Sequence, residues 1–300
     1  MNWSIGIDVG GTAIKAVVVD AVGTILKRKS LPTNDGADSV AEWTQNARQI
    51  IQDFEKEIGS TASSIGISAP GLAAADDRSI AYLPGKMEDI QGFNWTEALN
   101  RESLVPVLND AHAALLGEAW IGAVQGKQNV VLLTLGTGVG GAITSGGRLL
   151  KGVIGRAGHL GHMSLDIDGP TSNCGTPGAI EIMIGNYTVQ ERSKGRFSST
   201  RDLVDAHEAN DPVATEIWLR SIRALGCAIA SYINIIDPEI VVITGGISIV
   251  GKTLMDPLNA VLDEVEWRPG GHQVPVVFGK LDMWAGAVGA AYAALHPGEF

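Results

Sequence analysis

Cysteine is nearly absent from this chain. Cys174 and Cys227 are the only two in 300 residues and lie far apart, so no disulfide framework is available. Positive charge is also short. Lys and Arg number 22 against 33 Asp and Glu, a formal net charge of −11, which removes the basic footprint a nucleic-acid surface needs. No apolar run approaches the length of a membrane span. The start, Met1-Asn2-Trp3-Ser4, leads straight into a predicted strand with no basic n-region or apolar h-region, so no signal peptide is expected. These absences point to a cytoplasmic protein. Two nucleotide-binding signatures are missing as well. No glycine-rich turn is followed by Gly-Lys-Ser/Thr, and no G-x-G-x-x-G opens a helix after a strand, which argues against P-loop and Rossmann enzymes.

Glycine is plentiful, with 38 residues, and hydrophobic residues make up 45% of the chain against 18% charged. That is the composition of a globular protein with ample core and many tight backbone positions, long enough for two domains or one large one. The first half opens with a three-stranded meander. A buried strand at residues 5–8 turns at Gly10-Gly11-Thr12, returns over 13–20, and turns again at Gly23 into 24–31. Ser39-x-x-Glu42 reads as a capping box, followed by apolar residues at helical spacing from Val40 to Phe54. A short buried strand, 65–68, ends in Ala69-Pro70-Gly71. Residues 76–94 read as an irregular polar loop, 96–102 as a short helix and 104–107 as a strand leading into a helix over 111–122. The second half repeats the plan. An apolar strand at 130–135 turns at Gly136-Thr137-Gly138-Val139-Gly140-Gly141, and further strands are expected at 142–144, 148–150, 240–243 and 274–278. Helices are expected near 201–208, 211–236 and 285–295. This shared order predicts two similar α/β lobes with a ligand bound between them.

Three stretches carry chemistry. The corner Leu108-Asn109-Asp110 places a carboxylate between a strand and a helix, beside exposed N–H groups and the positive end of a helix dipole, which should keep Asp110 ionised. Such a group either caps the helix or accepts a proton from a substrate hydroxyl. The two glycine hairpins, with Thr12 and Thr137 as added donors, suit phosphate, because glycine lets the backbone approach and successive N–H groups form an anion nest. Asp8 would repel phosphate unless a cation mediates, so it fits a water-mediated Mg²⁺ partner.

Asp8-Val9-Gly10-Gly11-Thr12, the 135–141 hairpin and Pro238-Glu239-Ile240-Val241-Val242-Ile243-Thr244-Gly245-Gly246 resemble the phosphate and adenosine motifs of the actin-like ATPase fold. Together with Ala69-Pro70-Gly71, Asn109-Asp110 and Gly158-His159-Leu160-Gly161-His162, they make the chain similar to ROK-family sugar kinases from about residue 4 to 295. The resemblance implies a two-lobed actin-like (ribonuclease H-like) α/β fold. Residues 1–118 would form a smaller lobe, with a C-terminal helix at about 285–300 packing back on it, and 119–284 a larger one. It implies ATP- and Mg²⁺-dependent phosphorylation of a hexose hydroxyl, usually the 6-hydroxyl, with D-glucose the default substrate and Asp110 the general base. Asn109, His159, His162, Glu181 and Gly71 would meet the sugar. Asp8, Gly10, Gly11, Thr12, Lys15, Gly136, Thr137, Gly138, Gly245 and Gly246 would meet ATP and its phosphates. Family relatives imply a homodimer, and some use polyphosphate as donor; the Thr244-Gly245-Gly246 turn favours a nucleotide.

The chain departs from the family pattern on the sugar side. His159 stands where the family motif Gly-Glu-x-Gly-His has glutamate. A neutral imidazole offers one donor and one acceptor where a carboxylate offers only acceptors, so a modified hexose such as an amino or N-acetylamino sugar is the competing substrate. A catalytically weak sugar-sensing relative is a further reading. Ser172 and Ala179 replace two cysteines of the family zinc motif, leaving Cys174 and His162, too few for a structural tetrahedral zinc, so none is expected. Lys86, Asp89 and Ile90 occupy the region of a family Asn and Gly-Trp, and His112 replaces a common Asn. A ROK transcriptional repressor is disfavoured by the missing basic footprint and by the absence of room for a helix-turn-helix ahead of Asp8; a non-sugar actin-like ATPase is disfavoured by Asn109-Asp110 and His162.

Overall fold

A computed structural model describes residues 2–33, 39–84 and 87–299. In chain order the elements begin with strands β1 (Trp3–Val9), β2 (Ala13–Asp20) and β3 (Ile25–Pro32), helix α1 (Ser39–Ile58), and strands β4 (Ser64–Ala69), β5 (Leu72–Ala73) and β6 (Ile80–Tyr82). Then come α2 (Trp95–Ala98), β7 (Val107–Asn109), α3 (Asp110–Ile121), β8 (Val130–Leu135), β9 (Val139–Ser145) and β10 (Arg148–Leu149). Helices α4 (Ile180–Ile184), α5 (Val189–Arg192), α6 (Thr200–Glu208) and α7 (Pro212–Ile236) lead to β11 (Ile240–Thr244), α8 (Lys252–Val265), β12 (Val276–Phe278) and α9 (Ala285–Leu295).

Two five-stranded sheets share one strand order. The first runs β3-β2-β1-β4-β7 and the second β10-β9-β8-β11-β12. In the first, β1, β2 and β3 pair antiparallel, while β1, β4 and β7 pair parallel. In the second, β11 lies parallel between β8 and β12. Chain packing divides the molecule into unit 1 (Met1–Lys127, Ile143–Gly158 and Lys280–Phe300) and unit 2 (Gln128–Ala142 and His159–Gly279). This differs from the division expected from sequence, whose boundary at 118/119 falls inside α3 and which left residues 143–158 in the second lobe.

In unit 1 the core is built on the inward faces of β1, β2 and β4 with α1, from Ile5, Ile7, Ile14, Ala16, Trp43, Ile50, Phe54 and Ile67. The opposite face of the sheet is covered by α9. Two strand glycines explain how a helix comes so close. A Cβ on Gly6 would lie 1.8 Å from the Ala287 carbonyl oxygen, and one on Gly66 2.0 Å from that of Ala290. Gly289 does the same against α3, where a Cβ would meet the Ala113 carbonyl at 1.7 Å. Glu118, fully buried on α3, locks the entry to α9. Its carboxylate accepts from the N–H groups of Ala123 (2.7 Å), Lys280 (3.0 Å) and Leu281 (2.9 Å). In unit 2, α7 presents Trp218, Ile222, Leu225 and Ile229 to the interior.

Several elements depart from the sequence reading, each for a local reason. The strand expected at 104–107 is shifted to 107–109. Pro106 has no N–H for a ladder, and pairing with β4 begins at Val107. The short helix expected over 96–102 stops at Ala98, with Asn100 in a left-handed conformation two residues on. The loop at 76–94 contains β6 and a single 3₁₀ turn, Glu88–Ile90. Helix α8 was not foreseen at all, because Pro257 interrupts its sequence. The carbonyl that Pro257 leaves without its helical donor is that of Thr253, and the Trp218 indole N–H takes it at 3.1 Å. Helix α7 also corrects the statement about apolar runs: by length and composition it is long and apolar enough to cross a membrane. Half of that stretch is buried inside the protein. The Ser39 side chain of the capping box lies outside the described residues, as does Lys86.

Candidate active site

In unit 1 three parallel strands end together. Asp8 of β1 is registered with Ser68 of β4, Ser68 with Leu108 of β7, and Ala69 with Asn109. Asp8, the Ser68–Gly71 turn and the Asn109–Asp110 corner therefore emerge at the carboxyl ends of adjacent parallel strands, where open α/β sheets bind ligands. The corner is organised by Asn109, which is the N-cap of α3; Asp110 is the first helical residue, so the capping role considered for Asp110 belongs to its neighbour. The Asn109 Oδ1 accepts from the N–H groups of Ala111 (3.0 Å) and His112 (3.1 Å). Its amide nitrogen donates to the Gly71 carbonyl (2.9 Å) and to Asp110 Oδ1 (3.0 Å). Both donors and both acceptor positions of the amide are thus committed.

Asp110 is held by one oxygen. Its Oδ1 also accepts from the Ala111 N–H at 2.8 Å, and Oδ2 carries no hydrogen bond among the described residues. The residue is open to solvent on one side and crowded by protein on the others. That crowding, and next the negative charge of Asp8, push its carboxyl up to about 6, while the Ala111 and Asn109 donors oppose the shift. The N–H groups at the helix terminus favour the ionised form as expected, but desolvation outweighs them and raises the carboxyl. The carboxylate is still mostly charged at pH 7, and it titrates far closer to neutrality than an ordinary Asp.

Asp8 is held by Lys15, already assigned to the phosphates, and by Ser68, which the sequence did not single out. Its Oδ1 accepts from Ser68 Oγ at 2.8 Å, and Lys15 Nζ stands 3.8 Å from Oδ2. Gly286, at the start of α9, leaves room for it: a Cβ there would lie 3.0 Å from Asp8 Oδ1. Burial raises the Asp8 carboxyl more than Lys15 and Ser68 lower it. A carboxylate left undercompensated in this way fits a further cation, as Mg²⁺ held through water would supply. The adjoining hairpin is braced from below. The Gly10 N–H donates to the Ala13 carbonyl (3.1 Å), the Thr33 N–H to that of Thr12 (3.1 Å), and the Thr33 hydroxyl to that of Gly10. Gly11 and Thr12 are left exposed at its tip.

In unit 2 the second hairpin and Gly245-Gly246 also share a sheet edge, since β8 and β11 are parallel with Thr134 opposite Thr244. Gly245 has φ of +92°, and a Cβ on it would strike the Leu135 carbonyl at 2.4 Å; Gly136 and Gly246 have open space where a Cβ would be. Gly138 packs against the Glu181 carboxylate, whose Oε2 lies 2.8 Å from where a Cβ would sit. Glu181 Oε1 in turn is 3.4 Å from His162 Nδ1, and the His162 ring stacks nearly parallel on His159, with centroids 6.2 Å apart. The Glu181 carboxylate raises the His162 pKa above the usual imidazole value, and burial works against it. Cys174 Sγ lies 3.7 Å from His162 Nε2, with Ser172 and Ala179 buried where the zinc motif has cysteines. Among the described residues no group of three or more His, Cys, Asp or Glu is disposed to hold a metal ion.

The structure thus gathers Asp8, Gly71, Asn109 and Asp110 in unit 1. In unit 2 it gathers Gly138, His159, His162 and Glu181, with Gly245 packed on the strand that leads into the hairpin. A family model for the ROK family matches residues 4–296. The chain belongs to the ROK family. It is 33% identical over 280 residues to the glucokinase of Halalkalibacterium halodurans, covering 86% of this chain and 84% of that one. It is 31% identical over 296 residues to an N-acetylmannosamine kinase of Vibrio cholerae, covering 96% and 98%. A crystal structure of a ROK family glucokinase from Streptomyces griseus in complex with glucose and AMPPNP superposes with a TM-score of 0.79 at 28% identity, covering 98% of this chain and 99% of that one. The fold is that of ROK sugar kinases, the actin-like ATPase fold expected from the motifs.

Sequence reasoning missed Ser68, Glu118 and Arg192. Ser68 had a signal, a hydroxyl closing an otherwise apolar strand. Glu118 sits in an Ala-rich helix, where a lone acid reads as solvated, and Arg192 looks like any surface cation on a short helix.

Proposed function

We propose that this ROK-family protein transfers the γ-phosphoryl group of ATP to the 6-hydroxyl of a hexose, D-glucose by default, with Asp110 as general base. The enzyme class is that of an ATP-dependent sugar kinase. The observation that carries the reading is the state of Asp110: one carboxylate oxygen anchored by two donors and the other unbonded among the described residues, on a solvent-exposed residue at the ends of three parallel strands. A base for this reaction needs that arrangement, because phosphoryl transfer relies on positioning and charge neutralisation more than on covalent help. The acceptor hydroxyl gives its proton to Asp110 Oδ2, its oxygen forms the new bond to the γ-phosphorus, and the bond from that phosphorus to the β,γ-bridging oxygen breaks to release ADP.

Gly10, Gly11, Thr12 and Lys15 from the first hairpin, Gly136, Thr137 and Gly138 from the second, and Gly245-Gly246 are assigned to ATP. Asp8 would hold Mg²⁺ through water, and the ion would neutralise phosphate charge. Gly71, Asn109, His159, His162 and Glu181 are assigned to the sugar. Because the Asn109 amide is fully engaged, a sugar hydroxyl at Asn109 would exchange for its bond to Asp110, bringing the hydroxyl onto the base. No structural zinc is expected at Cys174 and His162. A modified hexose is the second reading, favoured by His159 and supported by the N-acetylmannosamine kinase relative. The protein is taken to work in the cytoplasm as a homodimer, which sedimentation would test. A coupled ADP-release assay over hexoses, amino sugars and N-acetylamino sugars decides the substrate. Turnover retained in Asp110→Asn with ATP binding unchanged would remove Asp110 from the mechanism.

A further inference from the structure

Arg192 ends α5 as a partly buried guanidinium whose partners are all neutral. Its Nε donates to Thr188 Oγ1 at 3.0 Å, Nη1 to Ser221 Oγ at 2.6 Å, and Nη2 to the Gly185 carbonyl at 3.1 Å. No carboxylate pairs with it among the described residues, and burial pushes its pKa down to about 10. A cation placed among protein atoms with no counter-ion is costly, and side chains of this kind serve a purpose beyond packing more often than surface ones.

What Arg192 grips leads to the second glycine hairpin. Gly185 caps α4, its N–H donating to the Glu181 carbonyl at 2.8 Å. The next two residues hold the hairpin. The Asn186 N–H donates to the Gly136 carbonyl and the Tyr187 N–H to the Thr137 carbonyl, both at 3.0 Å. A peptide group is planar and trans, so its C=O and the following N–H point in opposite directions. With the carbonyls of Gly136 and Thr137 directed at residues 186 and 187, the N–H groups of Thr137 and Gly138 are directed away from that segment. Two successive N–H groups aimed the same way are the start of an anion nest. Gly185 has no room for a side chain here, since a Cβ would lie 2.9 Å from the Thr137 carbonyl oxygen.

We propose that Arg192 is a positioning residue for the nucleotide phosphates. Through Gly185–Tyr187 it fixes the peptide planes that aim the Thr137 and Gly138 N–H groups, and its unneutralised charge behind the hairpin favours an anion in front of it. The inference rests on the kinase reading and assigns a role to a residue whose hydrogen bonds all go to Thr188, Ser221 and Gly185.

The test uses the full chain and ATP as probe, with equilibrium binding measured by calorimetry and KM for ATP and sugar measured on the best sugar of the panel. Arg192→Lys keeps the charge and loses the fork; Arg192→Gln loses both; Ser221→Ala removes one acceptor and leaves Arg192 in place. Arg192→Lys is expected to weaken ATP binding about tenfold, with Arg192→Gln weaker still. KM for the sugar should move less than KM for ATP, because the guanidinium makes no bond to Asn109, His159, His162 or Glu181, and reaches Glu181 only through its main-chain carbonyl at Gly185. Ser221→Ala should weaken ATP binding by about two- to threefold without loss of the cooperative melt. Folded Arg192 variants that bind ATP like the wild type, or that raise both KM values alike, overturn the proposal. If neither Arg192 variant folds, Ser221→Ala decides: unchanged ATP affinity overturns it. A wild type that neither binds ATP nor releases ADP with any sugar overturns the kinase reading itself, whereas an active wild type with unmoved variants overturns only the role of Arg192.

Discussion

The Asn109–Asp110 corner and the His159–His162–Glu181 cluster are built on different principles. At the corner all but one of the hydrogen bonds run to backbone groups. Asn109 ties two helix N–H groups, the Gly71 carbonyl and the neighbouring carboxylate, and a single oxygen of Asp110 is left over. In the cluster the polar atoms meet one another through side chains, at 3.4 Å between His162 and Glu181 and 3.7 Å between His162 and Cys174, with exposed neighbours and two missing cysteines. The first arrangement is fixed by the way three strands and a helix come together, so its chemistry tolerates little change. The second is tied together by side chains and can vary by substitution without disturbing the sheet.

The largest effect is expected from replacing the Asp110 carboxylate. Asp110→Asn should lower kcat by about 10²–10⁴-fold with ATP affinity preserved. The same variant carries a stability signature. A carboxyl raised in the folded state is disfavoured when charged, so the wild type loses stability as pH rises from about 4 through about 6. Asp110→Asn should therefore melt at a higher temperature than wild type at pH 7–8, and the gap should close near pH 3.5, where the wild-type carboxyl is protonated folded or unfolded. Equal melting at both pH values would show that Asp110 is not desolvated.

Changing the variable side should alter preference and leave the chemistry alone. His159→Glu restores the family carboxylate and is expected to shift the ratio of kcat/KM for glucose over an N-acetylamino hexose by about 10–100-fold, since a polar mismatch at a sugar site discriminates strongly. A ratio that stays put would make His159 a bystander. Asn109→Ala removes the cap and half the anchor of Asp110. It should cost about 1–2 kcal/mol of stability by chemical denaturation and lower kcat more than it raises KM for ATP. The smallest expected effect is on the pH profile. The acid limb of kcat/KM should fall near pH 6, because protonated Asp110 cannot accept a proton. In Asp8→Asn, whatever its reduced rate, the limb should move to lower pH, since a negative neighbour that raises Asp110 is gone. A limb that stays near 6 would assign the titration to another group.

The architecture was largely legible in the residues because hydrophobic alternation and glycine turns are local signals. The meander, the two hairpins, helices α1, α3, α6, α7 and α9, and β11 were all expected close to where they lie. Helix α8 was hidden because Pro257 breaks the local pattern, and only a distant indole, Trp218, supplies the compensating bond. The strand before Asp110 was misplaced by three residues because its partner, β4, decides where pairing starts. The motif residues are short local runs, whereas Ser68 and Glu118 carry no local signal because their partners, Asp8 and Leu281, lie 60 and 163 residues away.

The family, the two glycine hairpins, the carboxylate at the strand-to-helix corner and the departure from the family motif at His159 are legible in the chain alone, because each is written in a few adjacent residues. Tertiary structure decided which residue caps α3, which oxygen of Asp110 is left unbonded, and that its carboxyl is raised. Those depend on the registry of three strands separated in sequence, on the crowding they create and on the charge of Asp8, and electrostatics and desolvation follow distance in space rather than order along the chain.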